Sequence, residues 1–182
     1  MTKLDDKLPT LYKELHANGA FQGLSCRDHV QDFKSFLTFR KSGAVLDYGC
    51  GPLGGIKGHV PSTVIPYDPY VPEFSADPWE KKFDVFFSSD VFEHIPEQQL
   101  YGLLRRLCKH RQIKLIFLVI STRHANKTFS NGVNVHLTVR SAEWWHGFLV
   151  GVLGLHFVPE LIKVDGMNAT CTFGFHRKEE DE

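Results

Sequence analysis

The sequence predicts an α/β domain: a doubly wound, mostly parallel sheet with helices on both faces, a C-terminal antiparallel hairpin and two N-terminal helices. Three observations support this fold class. From Ala44 onward, short apolar runs alternate with helical segments, which is the order of βαβ units. A cluster of glycines directly follows the first apolar run, and the last two runs are separated only by the turn-like segment Asp165–Asn168. The 182 residues have room for one domain, which we assign to residues 1–182.

Two helices are expected in residues 1–42. The first ends at Asn18–Gly19, and its leucines recur at helical spacing: Leu4, Leu8, Leu11 and Leu15. Ser25 is predicted to cap the second helix, which should stop at Gly43. Its apolar stripe consists of Val30, Phe33, Phe36 and Leu37.

The core, residues 43–176, should contain six strands, and residues 177–182 form an acidic tail. The predicted strands are 44–48, 62–67, 83–88, 113–120, 156–164 and 169–176, with helices at about 96–110 and 141–150, the latter capped by Ser141. Only fourteen residues separate Asp68 from Phe83, and three of them are prolines. A helix and a further strand do not fit into these fourteen residues. We therefore expect the sheet to be trimmed around the third strand, with no additional strand between 62–67 and 83–88.

Composition excludes several classes of protein. No apolar run is long enough to span a membrane, and the acidic, polar start does not resemble a secretory signal. The four cysteines are widely separated, without a C-x-x-C pair, which argues against a zinc ribbon or a disulfide scaffold. We therefore expect reduced thiols and a cytoplasmic protein.

The formal net charge is zero, but the charges are unevenly distributed. No acidic residue lies between Glu97 and Glu143, and this window holds Arg105, Arg106, Lys109, Arg111, Lys114, Arg123, Lys127 and Arg140. After the predicted fourth strand, a polar loop brings Arg123, His124 and Lys127 to the carboxyl edge of the sheet, with Arg140 following. A basic loop there favours an anionic acceptor, such as a nucleic acid, a nucleotide or a sugar phosphate. A merely solvated helix face explains the same charges.

The glycine-rich segment after the first strand is the strongest local signal. Asp47 ends an apolar run that leads into Gly49 and Gly51, and glycines allow a ligand to lie against the main chain. Asp68 ends the second strand, next to the first in such a sheet, where a carboxylate can accept hydrogen bonds from ribose hydroxyls. The same spacing also fits a dinucleotide fingerprint. Asp47 and the glycine-rich, helix-poor segment 52–61 count against a dinucleotide.

A second cluster follows the third strand, where Asp90, Glu93 and His94 occur within five positions. Ligands bind at the carboxyl ends of parallel strands, so three titratable groups at this place indicate a functional site.

Together these segments resemble class I S-adenosylmethionine-dependent methyltransferases, which have a Rossmann-like fold. The resemblance covers residues 43–176 and is closest to small stand-alone bacterial and phage enzymes with a DVLEH-like motif, here Asp90-Val91-Phe92-Glu93-His94. It implies that Asp68 binds the ribose of S-adenosylmethionine, that Tyr70 lies near the adenine, and that Asp90 begins the substrate side. The implied cofactor-binding residues are Asp47, Tyr48, Gly49, Cys50, Gly51, Asp68, Pro69, Ser89 and Asp90. The family's usual adenine-contacting acid has only Asp77 as a weak substitute.

The resemblance leaves three roles open for His94. It could line the pocket, act as a general base together with Asp90 and Glu93, or bind a metal. Methyltransferases that modify small-RNA ends or quinone precursors use a similar acid-x-x-Glu-His set with a divalent ion, plus a later histidine, here His136. The corresponding ligands would be Asp90, Glu93, His94 and His136, with Mn²⁺ or Mg²⁺ as the ion.

The sequence thus predicts methyl transfer from S-adenosylmethionine to an oxygen or nitrogen of an unidentified acceptor. A non-catalytic module that binds S-adenosylmethionine is the main alternative, and an NAD-binding protein is a weaker one.

Overall fold

One six-stranded sheet forms the centre of the protein. The computed structural model describes residues 6–19, 22–38, 40 and 43–179. The strands are β1 (Ala44–Tyr48), β2 (Thr63–Tyr67), β3 (Val85–Ser89), β4 (Leu115–Ser121), β5 (Phe157–Asp165) and β6 (Thr170–Arg177). The α-helices are α1 (Leu8–Ala17), α2 (Val30–Leu37), α3 (Glu97–Lys109) and α4 (Ala142–Leu153). Short 3₁₀ turns occur at Ser25–His29, Pro72–Phe74 and Phe92–His94.

The strand order is β2-β1-β3-β4-β6-β5. The first four strands are mutually parallel, whereas β6 runs antiparallel to both β4 and β5. The parallel sheet and the C-terminal hairpin predicted from the sequence are therefore confirmed. The carboxyl ends of β1, β2, β3 and β4 meet at one edge, which is where parallel sheets of this type bind ligands.

Helices cover both faces of the sheet, as the doubly wound prediction requires. On one face, α3 and α4 bury Leu100, Leu104 and Trp145 against the sheet, and on the other α2 packs Phe33 against Phe87. Strands β3 and β4 are buried along their whole length, which explains why both read as unbroken apolar runs.

Two predicted helix limits are wrong. Ser25 begins a 3₁₀ turn and caps no helix, and α2 ends at Leu37 because Thr38 adopts an extended conformation, well before Gly43. The cap at Ser141 is confirmed, since its side chain accepts a hydrogen bond from the Trp144 amide. Leu4 and residues 180–182 of the acidic tail lie outside the described residues.

The trimmed sheet edge is also confirmed. Residues 69–82 form only turns and the 3₁₀ segment Pro72–Phe74, so β2 is the last strand on that side. Residues 49–62, between β1 and β2, are likewise turns without a helix. Within the described ranges, no helix has both the length and the apolar character needed to cross a membrane. All four cysteines are buried free thiols.

A small separate core joins α1 to the long loop between β4 and α4. Leu8, Leu11 and Tyr12 of α1 pack with Phe129 and Val135 of that loop. Helix α1 therefore packs mainly on another covering segment rather than on the sheet.

The buried side chain of Asp47 holds the glycine-rich segment after β1 by a hydrogen bond to its backbone. Its side chain is 2% exposed, and Oδ2 accepts a hydrogen bond of 2.9 Å from the Ile56 amide. Gly55 has a positive φ of 56°, and a Cβ there would lie 2.0 Å from that oxygen, so no larger residue fits. Burial raises the pKa of Asp47 to about 7, although the Ile56 hydrogen bond acts in the opposite direction.

This raised pKa predicts that Asp47 destabilises the fold as the pH increases. The folded state holds the proton up to about pH 7, whereas an unfolded aspartate loses it near 3.8. The stability that the protonated group contributes is therefore fully present below pH 3.8. It is lost as the pH rises through about 7. Asp47→Asn keeps an acceptor for Ile56 and cannot ionise. We expect the free energy of unfolding of the variant, relative to wild type, to rise by about 2–3 kcal/mol from pH 5 to pH 8, measured by urea denaturation. Parallel pH profiles of the two proteins would contradict this explanation.

Candidate active site

A cavity of about 820 Å³ opens at the carboxyl edge of the parallel strands and is covered by α1 and the β4–α4 loop. The sequence-predicted residues that line it are Tyr48, Gly49, Gly51, Asp68, Pro69, Ser89, Asp90, His94 and His136. Tyr70, expected near an adenine, lines it as well. Asp47, Cys50 and Glu93 do not line the cavity, so for Asp47 and Cys50 a ligand contact stays a prediction.

The glycine-rich turn is held at the ends of two strands. The amides of Gly49 and Cys50 both donate to the carbonyl of Tyr67, at 2.7 and 3.1 Å. Gly49 has a φ of 84°, and a Cβ at this position would lie 2.3 Å from Val91. A Cβ at Gly51 would lie 2.8 Å from the Cα of Gly23. Both glycines are therefore required by backbone conformation and by space.

Asp68 is held facing the cavity by the backbone. Its side chain is buried, Oδ2 accepts from the Gly51 amide at 3.1 Å, and Oδ1 accepts from the Tyr70 amide at 2.9 Å. His16 Nε2, from α1, lies 3.8 Å from Oδ1. Two amides thus orient this carboxylate at the place where the sequence predicts a ribose.

Asp90 occupies an unusual backbone conformation directly after β3. Its φ is +55°, which is uncommon for a non-glycine residue, and its amide donates to the carbonyl of Val119 at 2.9 Å. Ser89 Oγ donates to Asp90 Oδ2 at 3.2 Å. Residues kept in this region cluster at functional sites, where the surroundings impose the strain.

Glu93, three residues after Asp90, has a fully buried carboxyl group. Its Oε1 accepts from the Ser121 amide at 3.1 Å and lies 3.9 Å from His136 Nε2. The described part of the chain offers no hydrogen-bond partner to Oε2. Burial, and next the charge of Asp90, raises the pKa of Glu93 well above its ordinary value. An orphaned buried oxygen of this kind calls for a partner from outside the chain.

The two histidines each place Nδ1 against a backbone carbonyl. His94 Nδ1 lies 3.0 Å from the carbonyl of Val135, and His136 Nδ1 lies 2.6 Å from the carbonyl of Arg123. A carbonyl only accepts, so each Nδ1 carries the proton and each Nε2 is left as the ring's acceptor. Burial lowers the pKa of both rings, that of His94 to about 3. Both imidazoles are therefore neutral at neutral pH.

Glu93, His94 and His136 bring one potential ligand atom each to within 4.8 Å of one another. This grouping includes three of the four predicted metal ligands. Asp90 is not part of this group, and its carboxylate accepts a hydrogen bond from Ser89 Oγ, so its role as a metal ligand stays a prediction. A carboxylate oxygen with two neutral imidazole nitrogens is a donor set that binds divalent transition metals.

The basic loop reaches the cavity only in part. Arg123, His124 and Lys127 line it, as expected. Arg140 does not, because its guanidinium pairs with Glu97 at 2.6 Å and lies over the ring of Trp144. Asp77, the weak substitute for an adenine-contacting acid, is also outside the cavity and receives hydrogen bonds from the Trp79 amide and Arg106.

Two cavity residues on α1 were not predicted as site residues. Tyr12 and His16 lie one helical turn apart, Tyr12 near His94 and His16 near Asp68. Their spacing fits any amphipathic helix, so the sequence carries no signal that separates them from ordinary core residues.

Comparisons with solved structures identify the fold. DhpI in a complex with SAH superimposes with a TM-score of 0.67 at 12% identity, over 96% of this chain and 97% of that one. The small RNA methyltransferase HEN1 gives 0.63 at 15% identity over 87% of this chain, which spans only 26% of HEN1. Human N-acetylserotonin methyltransferase in complex with SAM gives 0.55 at 10% identity, over 83% of this chain and 52% of that one.

No family model matches the sequence, and no curated protein matches it. The neighbours are at most 15% identical, so the likeness concerns the fold alone. The chain has the Rossmann-like fold of the class I S-adenosylmethionine-dependent methyltransferases.

Proposed function

We propose that the protein transfers a methyl group from S-adenosylmethionine to an oxygen atom of its acceptor, beside a divalent ion held by Glu93, His94 and His136. The observation that carries this proposal is the shared cavity. One continuous space is lined by the glycine-rich turn and Asp68 as well as by His94 and His136. Donor and acceptor bound there would face each other, and alignment of the two reactants is a large part of methyl-transfer catalysis.

On the donor side, each residue has a role that its geometry supports. S-adenosylmethionine supplies an electrophilic methyl group on a sulfonium centre. The backbone at Gly49 and Gly51 lets the nucleoside approach closely, while Asp68, already oriented by two amides, would accept the ribose hydroxyls. Ser89 and Asp90 lie where β3 ends and line the same cavity.

On the acceptor side, the residues fit a divalent ion. Glu93 Oε2 is buried without a hydrogen-bond partner in the described chain, and an ionised carboxylate there needs a nearby positive charge. Mn²⁺ suits the mixed oxygen and nitrogen donors, and Mg²⁺ suits the carboxylate. Such an ion would polarise an acceptor hydroxyl and favour loss of its proton. The donor set is the reason to propose oxygen rather than nitrogen as the methylated atom.

His94 suits a ligand better than a general base. Its Nδ1 proton is committed to Val135, and its lowered pKa makes the ring a weak proton acceptor at neutral pH. A metal ligand needs the neutral ring that this environment maintains.

The acceptor itself should carry negative charge. Arg123, His124 and Lys127 line the same cavity as His94 and His136. A phosphate group of a nucleotide, a nucleic acid or a sugar phosphate fits this environment. The structural neighbours do not distinguish these acceptor classes. HEN1 and the 16S rRNA methylase ArmA are named for RNA, whereas N-acetylserotonin methyltransferase is named for a small molecule.

The two alternative functions have less support. A module that only binds S-adenosylmethionine would not need His94 and His136 of the Glu/His/His group in its cavity. An NAD-binding protein would need a helix after the glycine-rich turn, and residues 49–62 form none.

Asp68→Ala should weaken binding of S-adenosylhomocysteine at least about 10-fold, because it removes the charged acceptor for the ribose. Isothermal calorimetry measures this affinity directly. Asp77→Ala, at an exposed acid outside the cavity, is the matched control and should bind like wild type. Wild type should show no binding of NAD. Equal affinities of wild type and Asp68→Ala, or binding of NAD in preference, would overturn the proposed donor site.

His136→Ala should abolish specific Mn²⁺ binding, observed as loss of the bound fraction in electron paramagnetic resonance titrations. The physical reason is that one of three protein ligands is removed. His124→Ala is the control, because His124 lines the same cavity but is not part of the three-residue group. If wild type binds no Mn²⁺, or if His136→Ala binds it as wild type does, the ion is not held here.

A further inference from the structure

Tyr12 connects α1 to the backbone that carries the histidines. Its ring is buried, and its hydroxyl donates to the carbonyl of His94 at 2.9 Å and lies 3.3 Å from the carbonyl of Val135. These contacts bridge sequence separations of 82 and 123 residues. A single phenol therefore links an N-terminal helix to the turn after β3 and to the loop after β4.

Tyr12 and His94 both contact the carbonyl of Val135. It is within hydrogen-bond distance of the Tyr12 hydroxyl and also receives the Nδ1 proton of His94. The hydroxyl thus restrains both the main chain of His94 and the acceptor that fixes its ring. Holding that acceptor in place keeps the proton on Nδ1 and the lone pair of the neutral ring on Nε2.

The ring of Tyr12 is held independently of its hydroxyl. It stacks on Tyr70 with centroids 4.9 Å apart and planes 12° apart, and it meets Phe129 edge-on at 5.0 Å. It also meets the His94 ring edge-on at 6.1 Å. A phenylalanine at this position would keep these contacts and lose only the hydrogen bonds. The hydroxyl's effect can therefore be separated from that of packing.

We propose that Tyr12 is a positioning residue for the metal-binding group, its hydroxyl fixing the orientation and tautomer of His94 through two backbone carbonyls. This inference rests on the proposed function, because the ion is part of that proposal. Helix α1 is then a component of the acceptor side as well as a cover over the cavity.

The test compares wild type, Tyr12→Phe and Tyr101→Phe in the full chain. Tyr101 is an exposed tyrosine on α3, so its variant controls for loss of a tyrosine hydroxyl elsewhere. We expect Tyr12→Phe to bind Mn²⁺ about 10-fold more weakly, the usual effect of removing an outer hydrogen-bond partner of a metal ligand. Affinity for S-adenosylhomocysteine should stay within about twofold, since the ring still packs on Tyr70, and Tyr101→Phe should match wild type in both titrations. Mn²⁺ affinity of Tyr12→Phe within twofold of wild type would overturn the proposal.

A second measurement needs no metal. Nitrogen-15 NMR of the metal-free protein reports which nitrogen of His94 carries the proton. We expect the proton on Nδ1 in wild type and a mixture of tautomers in Tyr12→Phe. Wild-type His94 protonated on Nε2, or the same pure Nδ1 tautomer in the variant, would contradict the role of Tyr12. Absence of Mn²⁺ binding by wild type would instead refute the proposed ion while this tautomer test still decides about Tyr12.

Discussion

The buried carboxyl group of Glu93 is the constraint on which the rest of the candidate site depends. A carboxylate without exposed surface is costly unless its oxygens are satisfied, and among the described residues only Oε1 has a partner, the Ser121 amide at the end of β4. This hydrogen bond joins the ends of β3 and β4 beneath the cavity. His136 Nε2 lies 3.9 Å from Oε1, and the charge of Asp90 adds to burial in raising the pKa of Glu93.

Each part of the site comes from a different segment, and the sheet brings the segments together. The glycine-rich turn follows β1, Asp68 follows β2, the Asp90–His94 segment follows β3, and His136 lies in the loop after β4. Because these strands are parallel and adjacent, their carboxyl ends lie side by side. The covering segments, α1 and the β4–α4 loop, then pack on each other through a small core of their own. The sheet is thus the rigid part of the site, and the cover is joined to it by a few polar contacts, including those of Tyr12.

Much of the fold could be predicted because its signals are local. Alternating apolar runs predicted the strands, and proline density after Asp68 predicted the trimmed edge. Residues that line the cavity could be predicted where they follow directly from a strand, as Asp68 and Asp90 do. Contacts between distant segments could not be predicted: the spacing of Tyr12 and His16 only indicates a helix. Arg140 was expected to face the cavity, but Glu97, at the border of the basic window, pairs with it. Asp90 has a positive φ, which no motif encodes, and it lies outside the Glu93, His94 and His136 group.

The missing strand beside β2 has a consequence for the whole molecule in solution. A sheet that stops early presents an unpaired row of backbone groups, which can recruit a strand from another chain. Here that margin is only five residues long and contains Pro66, which has no amide hydrogen to donate. Although the sheet ends at β2, this short edge strand therefore offers little backbone for pairing with a strand of another chain.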